Sequence, residues 1–213
     1  RQGVGYRFYR IRRRRRAIAM KIAVLLSGSG TNLQSLLDAE AAGFFKSEIA
    51  LVVSNKADAY GLKRAEAMNK KTYVEGDDDL ASVLEKEGID FIVLAGYLKI
   101  LSGDLLHRYE GRIINIHPSL LPAYGGKGMY GMKVHEAVFE AGEVRSGATV
   151  HYVNETVDGG KILLQSSVDI RRLRSPKEIQ ETVLVLEHEL LKTAVRFCAG
   201  SYTHLTLPTT PYV

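Results

Sequence analysis

From Met20 onward, hydrophobic positions along the chain alternate between two patterns. Short continuous apolar runs, KIAVLLSG, IALVVSN and DFIVLAG, end in glycine or small polar residues. Between them stand stretches with helical spacing: TNLQSLLDAEAAG, with Leu33, Leu36 and Leu37 on one stripe and a stop at Gly43, then YGLKRAEAMN and, after a short KTYV, DDLASVLEKEG. Runs without alternation suit strands buried on both faces, so this order predicts a parallel sheet covered by helices on both sides. After RIINIH the order changes to a Gly-rich loop, a short helix MKVHEAVFEAG, and two strands, GATVHYVN and KILLQSSVDI, separated by ETVDGG. So short a connection predicts an antiparallel pair. The segment SPKEIQETVLVLEHELLKTAVRFC predicts a long closing helix, with Ser175 as N-cap, Pro176 at its first position and Glu178 completing a capping box. The fold class expected is α/β: a largely parallel twisted sheet with an antiparallel C-terminal portion and helices on both faces.

Composition narrows this further through the placement of charge. The net charge of +5 invites a nucleic-acid partner, yet residues 1–19 hold eight arginines and no acid. Of the 29 basic residues, 21 are left from Met20 onward against 24 acids, so the body is mildly acidic. We read 1–19 as an Arg-rich leader outside the fold, 20–200 as one domain, and the uncharged Thr/Pro-rich 201–213 as a non-native or disordered tail. No apolar run reaches the roughly 18 residues a spanning helix needs, and no secretory pattern stands at the N-terminus. The expectation is a cytoplasmic protein with no nucleic-acid or membrane partner, acting as a monomer or weak homodimer. Cys198 is the single cysteine, so no internal disulfide forms, and no Cys/His spacing suggests a metal.

Candidate chemistry clusters in loops that follow strands. In open α/β sheets ligands lie at the carboxyl ends of the strands, which points to Ser27–Asn32, Ala95–Leu101, Asn115–Gly128 and Thr156–Gly160 on one rim. SGSGTN opens a helix, so its N–H groups either cradle a phosphate or form a tight turn capped by Thr31 or Asn32. In IINIHPSLLPAYGGKG, Asn115 and His117 stand two apart on a strand and so point to one face. They read either as a polar pair satisfied inside the sheet or as a carboxamide donor for a developing oxyanion beside an imidazole. Asp158 in VDGG is a turn aspartate or the carboxylate that orients His117. Lys127 is a second phosphate candidate, Glu187 is a surface residue or a ligand contact, and His135 and His151 read as structural.

Taken together, VLLSGSGTNLQSLL, VVSNKADAYGLKRA, FIVLAGYLKIL, NIHPSLLPAYGGKG and SGATVHYVNETVDGGKILLQ resemble the glycinamide ribonucleotide formyltransferase family over Met20 to about Ala199. The resemblance implies a Rossmann-like formyltransferase fold and the co-substrate 10-formyltetrahydrofolate, without a metal. It implies formyl transfer to the amine of glycinamide ribonucleotide in purine synthesis. It further implies phosphate binding by Gly30, Thr31 and Asn32, catalysis by Asn115, His117 and Asp158, and a substrate contact from Glu187. A folate pocket is implied around Leu98, Lys99, Ile100 and Leu101 together with Asn115, as is a His117 kept protonated by Asp158. TYVEGDDDLASVL lacks the arginine that some relatives place near the folate tail. Competing readings are a formyltetrahydrofolate hydrolase, another folate-dependent formyltransferase such as one acting on initiator methionyl-tRNA, and an RNA-binding module working through the arginine leader.

Overall fold

A computed structural model of the chain describes residues 19–205, so the readings of the leader and of most of the tail fall outside the described residues. The strands are β1 (Lys21–Leu26), β2 (Glu48–Ser54), β3 (Lys71–Val74), β4 (Phe91–Leu94), β5 (Ile113–His117), β6 (Arg145–Tyr152) and β7 (Ile162–Asp169). They form one sheet in the order β3-β2-β1-β4-β5-β6-β7. The first five run parallel, whereas β6 is antiparallel to β5 and β7 to β6. The expected mixed sheet is therefore present. The helices are α1 (Thr31–Ala41), α2 (Tyr60–Ala67), α3 (Leu80–Lys86), α4 (Gly103–Arg108), α5 (Met132–Glu140) and α6 (Pro176–Leu205).

Strand alternation divides the core in two. Ile22, Val24 and Leu26 of β1 pack with Leu33, Leu36 and Leu37 of α1 and with Val183, Leu191 and Val195 of α6. Ala23 and Leu25 face the other way, against Ala81 and Leu84 of α3 and Leu105 of α4. Each buried leucine contributes about 1.5–3 kcal/mol relative to exposure, which is why so continuous an apolar strand demands cover on both faces. Helix α6 begins as its sequence dictates: Ser175 Oγ accepts from Glu178 N at 3.2 Å, and Glu178 Oε2 accepts from Arg174 N at 2.9 Å. It runs to Leu205, past the end expected near Cys198. A helix already formed gains one bond per added residue, and the roughly 1 kcal/mol cost of Gly200 does not stop it.

Chain order reverses between β1 and β4, which opens a crevice at their carboxyl ends. One wall of it is set by two glycines. Gly30 has a left-handed φ of +72, and a Cβ there would lie 2.5 Å from Gly61 Cα; a Cβ on Gly61 would lie 2.5 Å from Leu26 Cδ2. The contact lets Gly61 N donate to Gly28 O at 3.0 Å and Arg64 Nε donate to Ser29 O at 2.8 Å, so α2 grips the β1–α1 loop by its carbonyls. Gly30→Ala should destabilise the fold by roughly 1–3 kcal/mol through strain at positive φ. Denaturant unfolding measures this, and an unchanged midpoint would mean the close approach is dispensable.

Candidate active site

The β1–α1 loop presents backbone donors without a side-chain cap. Helix α1 starts at Thr31, its N-cap is Gly30, and no side chain caps it. The alternative of a turn capped by Thr31 or Asn32 is thus not what forms. Asn32 is committed elsewhere: its Nδ2 donates to Glu187 Oε2 of α6 at 2.8 Å, while its Oδ1 is buried without a partner among the described residues. Glu187 is only 8% exposed, and burial pushes its carboxyl up to about 7 despite the Asn32 hydrogen bond. It is not a solvated surface residue. Gly30, Thr31, Asn32 and Glu187 are therefore brought together at one end of α1.

The second constellation lies on the face of the sheet over β5 and β6. Asn115 pairs in register with His151 and His117 with Thr149, so the antiparallel partner adds an imidazole to the expected pair. Asn115 Nδ2 lies 3.1 Å from His151 Nε2, and His151 Nδ1 lies 2.9 Å from Tyr152 O. A carbonyl only accepts, so Nδ1 carries the His151 proton and Nε2 receives one from Asn115. By the same logic His117 Nε2, 2.8 Å from Tyr124 O, is protonated and its Nδ1 is the nitrogen that titrates. Tyr124 holds that carbonyl in place from a left-handed φ of 56, sparsely populated for a bulky residue.

Asp158 closes the cluster. One of its oxygens is 3.5 Å from His117 Nδ1, the other 3.5 Å from His151 Nε2, and Gly126 N donates to it at 2.9 Å. Burial pushes its carboxyl up, but the adjacent His151 ring, the positive charge His117 carries whenever it is protonated, and the Gly126 N–H outweigh that and hold it below the usual range. For His117 the balance reverses: burial lowers the imidazole by more than Asp158 and the Tyr124 carbonyl raise it. The expectation that Asp158 keeps His117 protonated is corrected accordingly, because burial outweighs the attraction of one carboxylate. The four loops do not share one rim either. Strand β6 ends at Tyr152 opposite Ile114, near the start of β5, so the β6–β7 connection leaves from the other rim and folds back over the sheet to deliver Asp158.

His151, read from sequence as structural, is thus part of the cluster. Its signal was its place on an alternating strand two residues from Thr149, legible only once β6 is known to pair with β5. His135 is buried on α5, its Nδ1 without a partner among the described residues, and burial takes it down to about 4. On the rim after β4, Leu98 and Ile100 are 51% and 72% exposed, whereas Lys99 Nζ is 2.5 Å from Glu75 Oε2 and Tyr97 donates to the same carboxylate. Leu101 is half-buried, and Lys127 is exposed on the Gly-rich loop, with no hydrogen bond to the β1–α1 loop among the described residues.

The chain is similar to known proteins in both sequence and fold. The formyl transferase family pattern matches residues 20–195. Phosphoribosylglycinamide formyltransferase of Haemophilus influenzae is 43% identical over 83% of this chain and 86% of its own length. The chloroplastic phosphoribosylglycinamide formyltransferase of Arabidopsis thaliana is 42% identical over 80% of this chain and 62% of its own. Glycinamide ribonucleotide transformylase 1 from Symbiobacterium toebii superposes with a TM-score of 0.80 at 35% identity, covering 86% of this chain and 89% of that one.

Glu187 generates a stability prediction. Its folded pKa is raised from 4.5 to about 7, so its contribution to stability is complete below pH 4.5 and is lost as pH rises through 7. At about 1.4 kcal/mol per unit, the loss by pH 8 is at most roughly 3 kcal/mol. Glu187→Gln keeps an acceptor for Asn32 and does not ionise. Its melting temperature should overtake that of wild type between pH 5 and pH 8; parallel curves would contradict the assigned burial.

Proposed function

Because this chain belongs to the formyl transferase family, we propose that it transfers a formyl group from 10-formyltetrahydrofolate to the amine of glycinamide ribonucleotide. The observation that carries this reading is the meeting of Asn115, His117, His151 and Asp158 on one face of the sheet, with uncapped helix N–H groups at the carboxyl end of β1, two strands from β5. The relatives compared above carry the phosphoribosylglycinamide or glycinamide ribonucleotide name, and none of these names is that of a hydrolase or a tRNA enzyme.

The residues fit both substrates. Exposed Leu98 and Ile100, with Lys99 and Leu101 beside them, suit the flat benzoyl ring of a folate and the ring faces of its pterin. The N–H groups at Gly30, Thr31 and Asn32 suit a phosphate, Glu187 suits ribose hydroxyls, and Lys127 would add a cation from the Gly-rich loop. Bound there, 10-formyltetrahydrofolate supplies the activated one-carbon group. Asn115 spends one Nδ2–H on His151 and keeps the second for the formyl oxygen as it gains negative charge, a role worth about 3–4 kcal/mol when well placed. Neutral His117 and ionised Asp158 face each other across 3.5 Å as two acceptors with room for one shared proton. That pair takes the proton shed by the attacking amine and returns it to the departing nitrogen. His117 is then a cation only while the proton is in transit.

The test is to mix the chain with glycinamide ribonucleotide and a 10-formylfolate and to follow the folate absorbance; correctly folded protein without transfer overturns the proposal. Asp158→Asn should lower turnover by about 10²- to 10⁴-fold with KM near normal, and unchanged turnover would remove Asp158 from the mechanism. Turnover should also fall as pH drops through the His117 pKa, which lies below 6.5. A profile that instead falls steadily from pH 6 upward would mean that a resting imidazolium is required.

A further inference from the structure

The loop Tyr97–Leu101 contains no helix or strand, so whatever presents Leu98 and Ile100 must act through its anchors. One anchor is Glu75, which receives Tyr97 and Lys99. A second is Ser27, 5% exposed at the end of β1, alongside the packing of Tyr97 and Leu101 on the core. Its backbone N donates to Gly96 O at 3.0 Å, and its Oγ accepts from Leu98 N at 2.9 Å. A hydroxyl has one proton, and Ser27 gives it to Asn55 Oδ1 at 2.6 Å. That bond turns the lone pairs of Oγ toward Leu98 N–H. We propose that Ser27, with Asn55 behind it, is a positioning residue for folate binding, fixing the backbone from which Leu98 and Ile100 project.

This role rests on reading Tyr97–Leu101 as the folate loop. It predicts a selective defect, because the phosphate-side loop has its own fastening: Gly61 N on Gly28 O and Arg64 on Ser29 O, neither of which involves the Ser27 hydroxyl.

The experiment uses the full chain with Ser27→Ala, Asn55→Ala and Asn55→Asp. Both KM values are read in the formyl-transfer assay, and folate affinity is read separately by direct titration. Ser27→Ala removes both hydrogen bonds of the hydroxyl, and loss of the one that fastens Leu98 N should raise the folate KM and Kd roughly 10-fold, with the ribonucleotide KM within about 2-fold of wild type. Asn55→Ala should shift folate in the same direction, and Asn55→Asp, which keeps the acceptor, should restore it. Equal weakening of both substrates overturns the role, as does unchanged folate affinity in Ser27→Ala. If Ser27→Ala does not fold, the Asn55 pair decides: identical folate affinity in the Ala and Asp variants overturns it. A wild-type chain that binds folate but transfers nothing counts against the proposed reaction alone, and one that binds no folate overturns both.

Discussion

A carboxylate held away from water is tolerated only where polar partners meet its oxygens, and the arrangement around Asp158 follows from that constraint. Two imidazoles and the N–H of Gly126 converge on it from three separate segments. Its own backbone takes a φ of 55, a conformation an aspartate accepts at some cost, and Gly125 passes close by because a side chain there would meet Leu121 and Asp158. Remove the carboxylate and the two ring nitrogens that face it lose their common partner. The electrostatics and the local chain path are therefore one solution.

That solution depends on where the sheet changes direction. Parallel strands β1, β4 and β5 bring their carboxyl ends together and gather the rim loops. The switch to antiparallel at β6 supplies what a purely parallel sheet could not: a cross-strand neighbour, His151, beside Asn115, and a connection that returns across the face instead of crossing over through a helix. The end of α1 that carries Asn32 is set by packing. Glu187 is carried in by α6, whose apolar face must cover β1 and α1, so the core contact that stabilises the domain also brings a carboxyl up against Asn32.

Much of this was legible in the chain. Apolar runs and 3.6-residue stripes specified the strands and helices, the short ETVDGG connection specified the antiparallel pair, and the two-residue spacing of Asn115 and His117 specified a shared face. What could not be read were facts of register and return path. Nothing local tells His151 that it will lie opposite Asn115, since strand pairing is decided by the whole sheet. The same holds for Asp158, whose turn chemistry is ordinary and whose approach to His117 depends on a loop folding back. A neighbouring acid is visible in sequence, whereas the depth of burial that lowers the His117 imidazole against it is not.

The Tyr124 carbonyl bears on the stereochemistry of the reaction. By occupying Nε2 it pins the His117 ring and leaves only the Nδ1 edge open. In the proposed reaction, the two prochiral faces of a planar formyl carbon meet different chemistry: the carboxamide lies toward the oxygen and the proton-accepting pair toward one side alone. An incoming nucleophile is thereby handed a single direction of attack, even though the product keeps no stereocentre to record it.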